Sequence, residues 1–170
     1  MRVLASLFFT LMSLAALPAH AADPVTDAMQ AAYAPYRAAL FRTNNKAQPE
    51  SEQAIAQAQQ AWKAISERFA GKPSAPYDRD PEFAKSLAQV AAVYERAAQQ
   101  IGDRRLADAH ETLEQVRDLI AGLRRRNDVV VFSDHMNAYH AEMEHVLQQA
   151  QQVTGSSRDL MLLMGRVGTL

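Results

Sequence analysis

The chain has 170 residues, of which 18 are basic, 19 are acidic, 48% are apolar and none is cysteine. The lack of cysteine excludes disulfide scaffolds, zinc ribbons, iron–sulfur clusters and thiol nucleophiles, because each of them needs that side chain. The formal net charge of −1 gives no footprint for a polyanion, so we expect no nucleic-acid partner.

The first 21 residues have the pattern of a secretory signal peptide. Arg2 precedes a mostly apolar run from Val3 to Leu17, and Ala19-His20-Ala21 is a small-residue cleavage signal. The apolar run of about 15 residues is shorter than the roughly 20 that cross a bilayer. We therefore expect cleavage after Ala21, export to the periplasm and no stable membrane anchor in the mature chain.

Apolar residues recur three and four positions apart through the rest of the chain, which predicts helices. The stripes expected to be buried are Val25, Met29, Tyr33, Tyr36 and Leu40 on the first helix, Ile55, Trp62, Ile65 and Phe69 on the second, and Phe83, Leu87, Val90, Tyr94 and Ile101 on the third. The first is expected to begin at Asp23-Pro24 and to end at Asn44-Asn45, with Pro35 kinking or splitting it. The second is expected to begin near Pro49 and to stop at Gly71. A proline-containing linker follows, over residues 72–79.

The third predicted helix runs from Asp80-Pro81 to Gly102, and Asp103 is expected to cap the fourth. The fourth ends in the basic run 124–126, which we interpret as a solvated helix end favoured by the helix dipole. The fifth is expected from Ser133 to about Val153, followed by a loosely packed tail over 154–170. The predicted fold is all-α: an up-and-down antiparallel bundle of four long helices plus one additional helix, within residues 22–153.

Candidate metal ligands concentrate in the predicted fifth helix. Met136, His140 and Met143 fall within about 60° of one another around this helix, on the same line as Leu147, which predicts that they face the core. Thioether and imidazole donors are typical ligands of Cu(I) and of haem iron. The alternative interpretation is that these methionines are ordinary core filler.

A second set lies on the flank of the same helix. His135, Glu142 and His145 fall within about 80° of one another, and imidazole with carboxylate suits Zn, Cu(II) or Fe. A single helix cannot complete a coordination sphere, so further ligands are expected from a neighbouring helix. Antiparallel pairing of the fourth and fifth helices would place Glu114 level with His145 and His110 nearer Gln149.

The sequence therefore predicts a protein that binds a transition metal ion, with copper favoured, for metal handling or tolerance. We expect no enzymatic activity. The consecutive side chains of Ser133-Asp134-His135 splay apart and cannot form a triad, and only one Glu-x-x-His motif, Glu142 to His145, is present where a di-iron bundle has two. A metal-free adaptor or chaperone-like bundle is an alternative.

The order of several short segments resembles the soluble periplasmic b-type cytochromes. These segments are Ala22-Asp23-Pro24, the early Met29, Asp80-Pro81-Glu82-Phe83, the turn at Gly102, and Asn137-Ala138-Tyr139-His140, which is similar to the segment around that family's haem-binding histidine. The resemblance implies a four-helix bundle that holds haem b between Met29 and His140, and hence an electron carrier. The sequence departs from the family because residues 122–124, where its histidine is expected, contain none.

Overall fold

The computed structural model describes residues 23–152, together with residues 161 and 165. The predicted signal peptide and nearly all of the predicted tail lie outside the described residues. The described part is built from α-helices, without strands, and the predicted all-α fold class is confirmed. The elements are α1 (Pro24–Asn44), α2 (Gln48–Phe69), a short 3₁₀ turn (Tyr77–Arg79), α3 (Phe83–Gly102), α4 (Leu106–Arg126) and α5 (Phe132–Gln152).

The first four helices close into a ring. Extensive packing joins α1 to α2, α2 to α3, α3 to α4 and α4 back to α1. Short connections make α1 antiparallel to α2 and α3 antiparallel to α4, whereas the longer segment 70–82 joins α2 to α3. The α1–α4 interface is the least extensive of the four. None of these interfaces includes α5, which therefore follows the bundle as an additional helix. No helix among the described residues has the length and apolar character needed to cross a membrane.

Helix α1 begins as its sequence predicts and continues through its internal proline. The Asp23 side chain accepts a hydrogen bond of 3.0 Å from the backbone N–H of Thr26, with Pro24 in the first turn. Of the two outcomes expected at Pro35, a kink or a split, the split is wrong, because one helix spans Pro24–Asn44. Packing against α2 and α4 holds the chain helical on both sides of the missing donor.

The predicted starts of α3 and α4 are displaced by a few residues. Asp80 precedes α3 by three residues and accepts from the backbone N–H of Glu82 at 2.9 Å instead of capping a helix at Pro81. Asp103 is the C-cap of α3, and Arg105 is the N-cap residue of α4. The tight α3–α4 turn needs Asp103 to finish one helix, so the residue is not free to begin the next.

Three helices end in the left-handed conformation without using glycine. Lys46, Arg104 and Asp128 follow α1, α3 and α4 with φ of 55°, 61° and 56°. The residue after each donates back into the helix, with N–O distances of 3.1 Å for Ala47 to Arg42, 2.8 Å for Arg105 to Gln100 and 3.0 Å for Val129 to Arg124. This is the Schellman arrangement, which satisfies carbonyls at the helix end and turns the chain sharply into the next element.

The core is centred on Trp62. Its indole N–H donates to the Leu87 carbonyl at 2.9 Å, and its ring meets the edge of Tyr94 with centroids 6.3 Å apart. The predicted apolar stripes of α2 and α3 are confirmed, since all their members are buried: Ile55, Trp62, Ile65 and Phe69 on α2, and Phe83, Leu87, Val90, Tyr94 and Ile101 on α3.

Candidate ligand-binding cleft

A cleft of about 290 Å³ opens where α1, α4 and the start of α5 meet. Its lining residues come from three places along the chain: Met29, Gln30, Tyr33 and Tyr36 on α1; Arg117, Ile120 and Arg124 on α4; and Val131, Phe132, Ser133 and Asn137 at the start of α5. The cleft therefore lies at the least extensive helix interface of the ring, and the first turns of α5 form its rim.

The α1 wall of the cleft is apolar and aromatic. Met29 is 3% exposed, and the Tyr33 and Tyr36 rings lie with centroids 5.7 Å apart. The Tyr36 hydroxyl donates to the Leu113 carbonyl of α4 at 3.2 Å. Burial raises the pKa of Tyr36 further above neutral, so its hydroxyl is a donor throughout the physiological pH range. This wall can receive an apolar or flat aromatic body.

The α4 wall carries a buried arginine. Arg124 donates through Nε to Asp134 Oδ2 at 2.9 Å and pairs through Nη2 with Asp134 Oδ1. The prediction of a solvated basic run is wrong for Arg124, which is buried because it follows the buried Ile120 by one helical turn. Arg125 is exposed, as expected, whereas Arg126 reaches Asp80 at 3.1 Å.

Asp134 also organises the first turn of α5. Its Oδ2 accepts the backbone N–H of Val131 at 3.1 Å in addition to the Arg124 bond. This fixes the segment that carries Phe132 and Asn137 at the rim of the cleft. The Arg124–Asp134 pair is thus a clamp between the end of α4 and the start of α5.

The methionine–histidine face of α5 does not turn toward the bundle. Met136 is 46% exposed, the His140 side chain is 47% exposed, and Met143 is half-buried. The prediction that these three side chains and Leu147 face the core is wrong, because α5 does not lie along α4. Its first turn is held by the Arg124–Asp134 clamp, and Val146, further along the helix, is 6% exposed.

The flanking set is only partly brought together. His145 Nδ1 lies 3.9 Å from Glu142 Oε1, whereas His140 Nε2 lies 2.9 Å from Glu144 Oε1, and His135 is exposed. Within the described part of the chain, no group of three or more His, Asp or Glu side chains is placed to hold one metal ion. The α5 side chains therefore form two separate imidazole–carboxylate pairs.

The ligands expected from α4 are engaged within the bundle. Glu114 forms an ion pair with Arg117 and lies 3.5 Å from His110 Nε2, all on α4. His110 Nδ1 lies 3.2 Å from the Leu40 carbonyl of α1, to which it can donate. The expected alignment of Glu114 with His145 is therefore wrong, for the same reason: α5 does not pair with α4.

The cleft does not fit the haem ligation that the cytochrome resemblance implies. Met29 lines it, but His140 is not among its lining residues. Opposite Met29, α4 contributes Arg117, Ile120 and Arg124, which are not haem ligands. The donor set in the cleft is thus one thioether without an imidazole.

Reasoning from the sequence missed most of this cleft. Tyr33 and Tyr36 belong to the predicted stripe of α1, but a stripe does not distinguish a cleft wall from a filled core. The sequence does indicate that Arg124 is buried, because it follows Ile120 by four residues and so lies on the apolar face of α4. A buried charge needs a partner, and Asp134 in the first turn of α5 provides it.

Comparison with protein-family models, curated protein sequences and solved structures finds no match to this chain.

Proposed function

We propose that this chain is an exported helical-bundle protein that binds a small, largely apolar molecule in the cleft between α1, α4 and the start of α5. The observation that carries the proposal is the cleft itself, about 290 Å³ in volume and walled by Met29, the two tyrosines and Ile120. This volume lies near the lower end of the range for small-molecule sites, which are mostly apolar with a few placed polar groups.

The position of the cleft also supports binding. Ligand sites of helical bundles lie between helices, and this one lies at the least extensive interface of the ring. Its rim is the α5 start, which Arg124 and Asp134 hold in place. A pre-formed site of this kind loses little ordering entropy when a ligand enters.

A neutral fluorescent probe tests the proposal. N-phenyl-1-naphthylamine is apolar and aromatic, and we expect the mature chain to bind one molecule of it with increased probe emission. Ile120→Trp fills the cleft and Asn137→Trp blocks its rim, so each is expected to weaken binding at least about tenfold, or roughly 1.4 kcal/mol. Gln89→Trp, on the exposed face of α3, is the matched control and leaves binding unchanged.

Unchanged probe binding by both cleft variants would contradict the proposal. If both cleft variants unfold cooperatively like the parent and bind the probe as tightly as it does, the probe does not occupy the cleft. The use of two variants separates ligand loss from misfolding, because Asn137 is half-buried and its substitution does not overfill the core.

A second candidate function is transition-metal binding on α5, with copper favoured. The observation in its favour is the two exposed pairs, His140 with Glu144 and His145 with Glu142. A carboxylate beside an imidazole orients the ring toward a metal ion. The two methionine thioethers of α5 are further soft donors on the same helix.

Equilibrium dialysis against Cu(II) and Zn(II) separates this candidate from the first. The candidate predicts uptake that is lost when His140 and His145 are both changed to Ala and that is unaffected by Ile120→Trp. Uptake no greater than that of the double variant would exclude it, and would leave the cleft proposal standing.

A further inference from the structure

A second cavity, the hollow, continues the cleft along the interface between α1 and α4. The cleft and the hollow together are called the seam. The hollow measures about 230 Å³ and shares Tyr33 and Arg117 with the cleft. Its other walls include Arg37, His110 and Asn44. The first cleft is mainly apolar, whereas this hollow is lined by cationic and polar groups, so the seam changes character along its length.

Arg37 is the free cation of this hollow. It is exposed, and within residues 23–152 its guanidinium makes no ion pair or side-chain hydrogen bond. No acidic side chain is among the residues that line the hollow. Glu114 lies beside it but is engaged by Arg117, and it also faces His110.

The two ends of the seam therefore differ in charge balance. At the α5 end, Arg124 is neutralised by Asp134 in a buried pair. At the other end, the hollow is lined by both Arg37 and Arg117, and of these two only Arg117 is paired, with Glu114. An arginine has five N–H donors, so Arg117 keeps donors for a second acceptor when one edge of its guanidinium holds Glu114.

We propose that the seam binds amphipathic organic anions, with the apolar or aromatic body in the cleft and the anionic group at Arg37 and Arg117. This inference rests on the proposed function of the cleft and adds the ligand class and its orientation. A carboxylate or sulfonate can accept two parallel hydrogen bonds from a guanidinium group. An unpaired arginine next to an apolar wall therefore favours a ligand that is apolar at one end and acidic at the other.

A pair of probes with one aromatic skeleton tests the inference. 8-Anilinonaphthalene-1-sulfonate differs from N-phenyl-1-naphthylamine by its sulfonate group. We expect the sulfonate probe to bind the parent protein about tenfold more tightly than the neutral probe, as one added charge-assisted hydrogen bond would give. Rising ionic strength is expected to weaken binding of the sulfonate probe selectively, because the anionic end is partly open to solvent.

Arg37→Gln isolates the anionic contact, with Arg42→Gln as the matched control. Both arginines are exposed on α1, but Arg42 lies over the Phe41 ring and lines neither the cleft nor the hollow. Arg37→Gln is expected to weaken the sulfonate probe about fivefold to tenfold and to leave the neutral probe within about twofold, whereas Arg42→Gln changes neither.

The outcomes distinguish this inference from the function on which it rests. Equal affinity for the two probes, or an Arg37→Gln variant that binds both as the parent does, overturns the anion inference while cleft binding stands. Failure of both probes to respond to Ile120→Trp and Asn137→Trp overturns the cleft itself. Cooperative thermal unfolding of each variant excludes probe binding to a loosened core.

Discussion

Arg124 and Asp134 form a buried, bidentate ion pair that joins the last turn of α4 to the first turn of α5. The Nε–Oδ2 distance is 2.9 Å, and the two side chains are 7% and 18% exposed. Asp134 also accepts the Val131 backbone N–H. The pair therefore sets both the rim of the cleft and the point at which α5 leaves the bundle.

Asp134→Ala is expected to lower the free energy of unfolding by about 2–3 kcal/mol, since it leaves the Arg124 charge buried without a partner. This is less than the roughly 3–5 kcal/mol lost from a fully buried pair, because the Asp134 side chain is 18% exposed. Urea unfolding followed by circular dichroism measures the change. The double variant Arg124→Met/Asp134→Ala is expected to recover much of the loss, because no unpaired charge remains. Glu111→Ala, on the exposed face of α4, is the control. A single variant as stable as the parent would contradict the role assigned to the clamp.

Trp62→Phe is expected to destabilise the protein by about 1–3 kcal/mol, through the lost bond to the Leu87 carbonyl and the lost ring volume in a packed core. Since this is the only tryptophan of the chain, circular dichroism rather than fluorescence follows the unfolding. Lys63→Ala alters the adjacent, exposed position and should stay within about 0.5 kcal/mol of the parent. Equal losses from the two substitutions would mean that the core is not centred on Trp62.

Asp80 ties the start of α3 to the end of α4. Its side chain is 6% exposed, and burial works to raise its pKa. Hydrogen bonds from the Asn127 amide, the Glu82 backbone and Arg126 outweigh burial, so the pKa of Asp80 lies below its usual value. A carboxyl with a lowered pKa in the folded state contributes stability above its unfolded pKa, and that stability is lost as the pH falls through the folded pKa.

Asp80→Asn is therefore expected to cost about 1–2 kcal/mol at pH 7. The difference from the parent should shrink below about pH 4, where the unfolded carboxyl begins to take up its proton. Urea unfolding at pH 7, 5 and 3 measures it. Asp78→Asn, two residues earlier and exposed, should show no such trend. A cost for Asp80→Asn that does not depend on pH would assign the effect to shape rather than charge.

Arg104→Gly is expected to raise the free energy of unfolding by about 0.5–1 kcal/mol. The residue has a φ of 61°, a conformation that costs an L-amino acid about 1–2 kcal/mol. Glycine adopts it without strain, but its backbone loses more entropy on folding, which offsets part of the stabilisation. The same change at Arg96, exposed inside α3, should instead destabilise by about 1 kcal/mol. Thermal unfolding of both variants provides the comparison, and a loss of stability at both sites would contradict the capping argument.

The bundle was largely predictable from sequence because periodicity records which side of a helix is buried. The stripes of α2 and α3 are apolar at helical spacing, and the ring of four helices buries every member. On α5 helical spacing does not decide which side chains are buried. Spacing shows that Met136, Met143 and Leu147 lie near one line around the helix, but it does not show that another helix covers them.

The cleft was less accessible to such reasoning. It depends on how far α1 and α4 stand apart around Met29 and Ile120, and that distance is set by packing around the whole ring. The sequence indicated Met29 as a residue of interest through the cytochrome resemblance. Of the residues facing it, Arg117 pairs with Glu114 at ordinary helical spacing, whereas the Arg124–Asp134 pair joins two helices and no spacing rule predicts it.

Methyl NMR of methionine-labelled protein tests cleft binding most directly, because ring currents shift a methyl group that an aromatic probe touches. Met29 lines the cleft, whereas Met136 and Met143 lie on α5 outside it. On titration with 8-anilinonaphthalene-1-sulfonate, we expect the Met29 methyl resonance to shift and to saturate at one probe per chain, while those of Met136 and Met143 stay in place. A stationary Met29 resonance at saturating probe, or shifts confined to the α5 methionines, would contradict the account.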